Sequence, residues 1–173
     1  MSGAWQQDKR WSDQFLPHMK RICGEYLIGE ATPDDDACRN TDLIVLKIAP
    51  VRIACRVRKA TYAARYGEEF TVRAGRPSGT KTELTKIVEG WGDYLLYGFG
   101  EESTHLMSRW SLISLTAFRR YFMRHLHGQK GEMPGVVQNN ADGSSHFRAF
   151  NIPIVCASTP DLVVASSWMG SQG

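Results

Sequence analysis

Apolar and polar side chains alternate over three stretches in the first half of the chain, and this two-residue period predicts half-buried β-strands. The stretches are TDLIVLK from position 41, RIACRVRK from position 52 and EFTVRAG from position 69. RIACRVRK places Ile53, Cys55 and Val57 on one face and its arginines on the other. We expect TDLIVLK and RIACRVRK to pair as an antiparallel hairpin, because Ala49 and Pro50 suit a tight connection between them.

Helical spacing replaces this alternation before and after the strands. Apolar residues recur every three or four positions from Trp11 to Ile28, which predicts a helix ended by Gly29. Because a proline suits only the first turn of a helix, Pro17 indicates an alternative start nearer Phe15. After the third strand, Thr80 and Glu83 have the spacing of a capping box and predict the start of a second helix. The buried stripe of that helix is expected to consist of Leu84, Ile87, Val88 and Trp91. A fourth strand, DYLLYGFG, follows it.

The last third of the chain predicts further, shorter elements. RWSLISL, HFRAFNIPIV and DLVVASS have the composition of strands, and TAFRRYFMRHLHG has the period of an amphipathic helix. We predict a single globular domain over residues 1–173, with a core at 11–100, additional elements at 101–166 and a loose tail at 167–173. The predicted fold class is α/β (α+β), with helices and a mixed β-sheet core.

The basic residues are concentrated in one part of the chain. The whole sequence has a formal net charge of +3. Residues 52–86 contain nine arginines and lysines against three glutamates, so this segment carries +6 and the rest of the chain carries −3. An arginine row on a strand is most often a solvated face, but its members repel one another unless an anion or acidic residues lie opposite. The charge therefore favours a polyanionic partner, and we expect nucleic acid.

The sequence disfavours membrane and zinc proteins. It contains no run of 18 apolar residues, and MSGAWQQDKRW lacks the basic-then-apolar pattern of a secretory signal. We therefore expect a cytoplasmic protein without a membrane segment. The four cysteines include no C-x-x-C pair, which favours buried free thiols over a structural metal site.

The turn from Arg76 to Lys81 is a candidate phosphate site. Gly75 and Gly79 permit close approach of the backbone, and the predicted helix after the turn would offer unpaired N–H groups. An equally weighted alternative is a turn that only caps the helix and needs no ligand. With the arginines of the neighbouring strands, the candidate phosphate-binding residues are Arg56, Arg58, Arg73, Arg76 and Lys81.

Five carboxylates on predicted core elements are candidate ligands for magnesium. Glu25 lies on the first helix, Asp42 begins the first strand, Glu69 lies on the third strand, and Glu83 and Glu89 lie on the second helix. Hard oxygen ligands hold an ion that polarises a phosphate and lowers the pKa of an attacking water. Three of these residues also have a structural interpretation, with Glu83 in the capping box, Glu25 as a solvated side chain and Asp42 as the cap of a turn.

The element order helix, three strands, helix, strand resembles the core of the PD-(D/E)XK, or restriction-endonuclease-like, superfamily. TDLIVLK is similar to the strand that opens with the metal-binding aspartate of this family, and Asp42 stands at that position. Glu25 matches the acidic residue that many members carry on the first helix. The resemblance implies a magnesium-dependent nuclease with DNA as its favoured partner, and it raises the alternative of a homodimer.

The acid-x-lysine motif of this superfamily is incomplete in the chain. At the expected distance on the next strand stand Cys55 and Val57 or, one residue further on, Arg56 and Arg58. Glu69 is then the candidate acid, and Lys86, or alternatively Lys81, is the candidate amine that assists the attacking water. The resemblance thus implies Asp42, Glu69 and Lys86 as catalytic residues and Glu25, Asp42 and Glu69 as metal ligands.

Three functional hypotheses follow. The first is a nucleic-acid-processing enzyme, a magnesium-dependent nuclease. The second is a non-catalytic accessory protein of a phage or mobile element that binds nucleic acid or a host protein; the incomplete motif favours it, and KTELTKIVEGWGDYLLYGF is similar to uncharacterised phage-type proteins. The third is a structural or assembly protein. We expect one aromatic group to lie in the core rather than to stack on bases, namely Trp91, Tyr94, Tyr97, Phe99 and Trp110.

Overall fold

The computed structural model describes residues 3–30, 43–45, 51–128, 132–140, 143 and 145–169. The helices among these residues are α1 (Gly3–Asp13), α2 (Leu16–Leu27), α3 (Ala63–Tyr66), α4 (Glu83–Val88), α5 (Leu115–His127) and α6 (Ile152–Ser158). The strands are β1 (Ile28–Glu30), β2 (Leu43–Val45), β3 (Ile53–Lys59), β4 (Glu69–Gly75), β5 (Tyr94–Glu101), β6 (Leu106–Ser114), β7 (Val136–Asn139), β8 (His146–Asn151) and β9 (Val163–Ser166). The predicted mixture of helices with a mixed β-sheet is confirmed.

Seven of the described strands form two sheets. The first sheet has the order β3-β5-β6-β9, in which β3 runs parallel to β5 and the other pairs are antiparallel. The second sheet has the order β4-β8-β7 and is antiparallel throughout. Strands β3 and β4 therefore lie at edges of different sheets, and both lie beside the site described below.

The predicted hairpin between TDLIVLK and RIACRVRK is wrong for the described residues. Strand β2, which is the described part of TDLIVLK, pairs with β1, so that Ile44 lies opposite Gly29. RIACRVRK forms β3 and pairs with β5 instead, with Arg56 opposite Tyr97. The physical reason is burial: β5 is buried from Leu95 to Gly100 and takes a central position in its sheet, so it needs a neighbour on each side.

Two hydrophobic clusters cover the two faces of the first sheet. On one face, Phe15, which directly precedes α2, and Met19 and Ile22 of α2 pack with a cluster that includes Leu96 of β5. On the other face, α4, α5, α6 and the second sheet bury a larger cluster. Phe118 lies at the centre of that cluster, where its ring is 4.8 Å from the ring of Phe150, centroid to centroid.

The amino-terminal helix differs in its bounds from the sequence prediction. The predicted single helix from Trp11 to Ile28 is two helices, because α1 ends at Asp13 and α2 begins at Leu16. Pro17 occupies the second position of α2, where a helix has no internal partner for the missing N–H. The proline therefore fits the start of a helix rather than its interior.

Two corrections concern the last third of the chain. HFRAFNIPIV is only partly a strand, because Asn151 ends β8 and its side chain accepts a hydrogen bond from the N–H of Ile154, which caps α6. The predicted loose tail is anchored at its described end, where the indole N–H of Trp168 donates to the Ser111 hydroxyl at 3.0 Å. Arg109 also lies 4.3 Å from the Trp168 ring centroid.

None of the described helices is long and apolar enough to cross a membrane.

Candidate functional site

A cleft of about 510 Å³ opens beside β3, β4 and α4. We call it the basic cleft. Its lining includes six cationic side chains, namely Arg52, Arg56, Arg73, Arg76, Lys81 and Lys86. Among the described residues that line it, Glu83 is the only carboxylate. Four of the five predicted phosphate-binding residues thus lie at one site, together with Lys86, which the resemblance assigned to catalysis.

Arg56 joins the two sheet edges at the base of the basic cleft. One guanidinium nitrogen donates to the main-chain carbonyl of Thr71 in β4 at 2.9 Å, and another donates to Glu83 Oε2 of α4 at 2.6 Å. Both side chains are mostly shielded, with 29% of Arg56 and 24% of Glu83 exposed. Glu83 Oε2 also accepts the backbone N–H of Arg73 at 3.1 Å. Arg56 therefore holds β3, β4 and α4 together.

The cations at the rim of the basic cleft are more exposed than Arg56 and have fewer contacts with the described residues. Lys81 is exposed and forms an ion pair with Glu89 at 2.7 Å. The side chains of Arg52, Arg76 and Lys86 are also exposed, and within the described part of the chain they have no ion pair or hydrogen-bond partner. The rim therefore presents positive charge that an external anion can approach without displacing a protein contact.

The turn between β4 and α4 departs from its predicted capping. Thr82, not Thr80, caps α4, and its hydroxyl accepts the N–H of Thr85 at 3.3 Å. The Thr80 hydroxyl instead lies 2.8 Å from that of Ser78. The predicted capping box is therefore wrong, since Glu83 is the first helical residue and is engaged by Arg56. Only Thr80 has the T-x-x-E spacing with Glu83, whereas the cap geometry belongs to Thr82, which is followed three positions later by Thr85.

The predicted buried stripe of α4 is wrong at Trp91. Leu84 and Ile87 are buried as expected, but α4 ends at Val88 and Trp91 is 61% exposed at the cleft. The other aromatic predictions mostly match the structure, because Tyr97, Phe99 and Trp110 are buried and Tyr94 is half-buried. Gly90 and Gly92, with φ of +99° and +82°, turn the chain away from the helix axis on either side of Trp91.

Arg58 lies outside the basic cleft, next to a second pocket of about 560 Å³. Its guanidinium carbon is 5.0 Å from the ring centroid of Tyr62 and 5.3 Å from that of Tyr66. Arg56 and Arg73 line both the second pocket and the basic cleft, so the two depressions adjoin along β3. The predicted arginine row therefore lies at two sites. Arg52 and Arg56 line the basic cleft, whereas Arg58 lines only the second pocket.

The carboxylates predicted to hold magnesium are not brought together by the described residues. Glu25 is exposed on α2, which packs on the opposite face of the first sheet from β4, where Glu69 lies. Asp42 lies outside the described residues. The described residues contain no group of three or more His, Cys, Asp or Glu side chains able to hold a metal ion. Magnesium therefore stays a prediction.

Glu69 has an environment that suits a cation poorly. It lies opposite Asn151 in the second sheet, and its Oε2 is buried with no hydrogen-bond partner among the described residues. The adjoining pocket of about 310 Å³ is lined by Arg65, Arg109 and Glu68 as well as by Glu69. The two guanidinium groups would oppose a divalent ion there. Lys86 lines the basic cleft and not this pocket.

Two residues of the basic cleft, Arg52 and Trp91, were not among the predicted phosphate-binding residues, although Arg52 belongs to the basic segment 52–86. Arg52 precedes β3 and is fixed there by its backbone, whose N–H donates to Asp93 Oδ2 at 2.9 Å. Trp91 follows the last apolar position of α4 at helical spacing, so only its flanking glycines signal that the helix has ended. The described cysteines, Cys23, Cys55 and Cys156, are free as predicted, but the predicted burial is wrong, because Cys55 is exposed and the other two are half-buried.

Comparison with other proteins gives no relative. No family model, curated protein or solved structure matches the chain. The resemblance to the PD-(D/E)XK superfamily therefore stays a prediction, and any functional argument depends on the site itself.

Proposed function

We propose that this protein binds the sugar–phosphate backbone of nucleic acid, with DNA as the favoured form, in the basic cleft. The observation that carries the proposal is the convergence of six cationic side chains on one cleft, with a single carboxylate among the described residues of its lining. That carboxylate, Glu83, is already engaged by Arg56. The remaining positive charge is best compensated by a polyanion, and phosphates spaced along a chain fit cations spread over the cleft.

The same geometry favours binding over cleavage. Arg56 and Glu83 are held by each other, so neither is available as a base or a metal ligand in this arrangement. Phosphate contacts by arginine and lysine need no metal and supply most of the affinity of sequence-independent binding. Metal-dependent cleavage is the alternative, with Lys86 at the cleft and Asp42 as the residue to test.

The proposal is tested by binding of labelled single-stranded DNA, duplex DNA and RNA of equal length, followed by fluorescence anisotropy at low salt. The test variant combines Arg76→Glu with Lys86→Glu at the rim of the cleft. The control combines Lys20→Glu with Arg21→Glu, which makes the same change in net charge on exposed positions of α2. We expect the rim variant to bind at least about tenfold more weakly than the control.

Equal affinities of the two double variants would show that overall charge, not the basic cleft, drives binding. Magnesium and chelator are added in parallel to each reaction. Cleavage that requires magnesium and is lost in Asp42→Ala would replace the binding proposal with the nuclease alternative. Binding that is insensitive to chelator, with the probe intact, supports a non-catalytic protein.

A further inference from the structure

Trp91 is a large apolar side chain exposed at the rim of a cationic cleft. It is 61% exposed, and within the described residues its ring forms no contact with another aromatic ring and no cation–π contact. Exposed single apolar residues are common on protein surfaces, but this one lines the basic cleft beside Lys86 and Arg52. The combination of cations with one free aromatic face is the chemistry that binds unpaired bases.

The backbone holds Trp91 firmly although its side chain is exposed. Its N–H donates to the carbonyl of Lys86 at 3.0 Å, and the N–H of Gly90 donates to the carbonyl of Ile87 at 3.0 Å. These two bonds form the Schellman ending of α4, with Gly90 in the left-handed region. In that motif the residue at the position of Trp91 often packs back on the helix, whereas here it projects to solvent.

A third contact fixes the far side of the turn. Arg119 of α5 donates to the carbonyl of Gly92 at 3.2 Å and to that of Ile87 at 3.4 Å. Gly92 has little room for a side chain, because an added Cβ would lie 2.9 Å from Leu115 Cδ1. The indole therefore stands on a turn that is anchored to both α4 and α5. A preorganised platform loses little conformational entropy when a ligand stacks on it.

We propose that Trp91 stacks on an unpaired base of a single-stranded nucleic acid whose phosphates lie in the basic cleft. The inference rests on the proposed function and adds the form of the ligand. Bases of a duplex are stacked within the helix and offer only their edges, so an indole at the rim finds a free base face only on a single strand. Sequence preference is expected to be weak, because every base has a π-face.

The experiment compares three labelled probes of equal length: a single-stranded oligothymidine, an abasic strand with the same phosphates, and a duplex. We expect the unmodified protein to bind the oligothymidine about tenfold more tightly than the abasic strand. Trp91→Ala should remove this preference and leave binding of the abasic strand unchanged. Trp91→Tyr should keep most of it, and Ile154→Ala, which alters an equally exposed apolar residue on α6, should keep all of it.

The outcomes separate this inference from the proposed function. A base preference that persists in Trp91→Ala would overturn the role of Trp91 while the cleft proposal stands. Equal binding of the oligothymidine and the abasic strand by the unmodified protein, or tighter binding of the duplex, would overturn the single-strand inference alone. Absence of binding to every probe would overturn both proposals. Measuring the same base preference with oligouridine shows whether the sugar affects binding. A base preference for oligouridine supports the same role for Trp91.

Discussion

The two faces of β3 differ in what covers them. Ile53 and Val57 belong to the face that packs with α2 in a hydrophobic cluster, in which Val57 is buried and Ile53 is half-buried. Arg52 and Arg56 belong to the other face, which looks toward β4 and α4 and lines the basic cleft. The alternating pattern of one short strand thus separates a surface that completes the fold from a surface that stays available to a partner.

The cationic face is itself divided. Arg56 is held by Thr71 and Glu83 and joins three elements, whereas Arg52 is exposed at the start of the strand with a side chain that has no partner among the described residues. The same residue type on the same face therefore has a structural role at Arg56, and we propose a binding role for it at Arg52. Burial and hydrogen-bond partners decide which role each arginine has.

Replacing Arg56 should have the largest effect on stability. Arg56→Ala removes two hydrogen bonds and leaves Glu83 partly buried without its cation, so we expect the free energy of unfolding to fall by about 2 kcal/mol. Arg76→Ala, which removes an exposed cation of the same cleft, should change it by less than about 0.5 kcal/mol. Urea denaturation of both variants measures the difference. Equal losses would contradict the structural role of Arg56.

The cap of α4 should have the second largest effect on stability, because Glu83 of α4 is the partner of Arg56. Thr82→Ala should lower the free energy of unfolding by about 1 kcal/mol through loss of the bond to the Thr85 N–H. Thr80→Ala is the matched control and should have little effect, since Thr80 does not cap the helix. The same denaturation assay distinguishes them. A larger loss in Thr80→Ala would restore the capping box that the sequence predicted.

The contact between α2 and β6, on the side of the first sheet that α2 covers, should show the smallest effect, as a dependence on pH. His18 of α2 accepts the N–H of Met107 through Nδ1 at 2.8 Å, which requires the neutral ring. Burial, followed by the charge of Arg21, lowers the pKa of His18 below its usual 6.5. The unfolded chain then binds the proton more readily, so this contribution is complete above pH 6.5 and is lost as the pH falls through the lower folded value.

Denaturation at pH 7.5 and pH 5.5 tests the contribution of His18. His18→Gln keeps an acceptor but does not titrate, so it should lose less stability between the two pH values than the unmodified protein does. His127→Gln, at an exposed position of α5, is the control and should behave like the unmodified protein. An identical pH dependence in His18→Gln would mean that this contact does not contribute.

The local elements were largely predictable, but their pairing was not. The period of RIACRVRK fixes which residues share a face, and β3 follows it. The strand that pairs with β3 could not be predicted, because the alternating pattern does not specify the neighbouring strand. Ala49 and Pro50 permit a hairpin but do not require one. Similarly, the segment from Leu84 to Val88 was recognised as helical, whereas the exposure of Trp91 depends on two glycine conformations and a contact from α5.

The site was predictable in composition rather than in geometry. The concentration of charge between Arg52 and Lys86 identified the cations of the basic cleft. It could not separate Arg56, which holds the fold, from Arg76 and Lys86, because that distinction depends on Glu83, a residue 27 positions further along the chain than Arg56. The predicted carboxylate site, in turn, includes Asp42, which lies outside the described residues.

The most direct test of the central claim is the salt dependence of binding to single-stranded DNA, measured for the unmodified protein and for Arg76→Glu combined with Lys86→Glu. Each phosphate contact contributes about −0.7 to the slope of log affinity against log salt concentration. If both side chains contact phosphates, the slope of the double variant should be shallower by about 1.4. An unchanged slope would contradict the proposal that the rim of the basic cleft binds the nucleic-acid backbone.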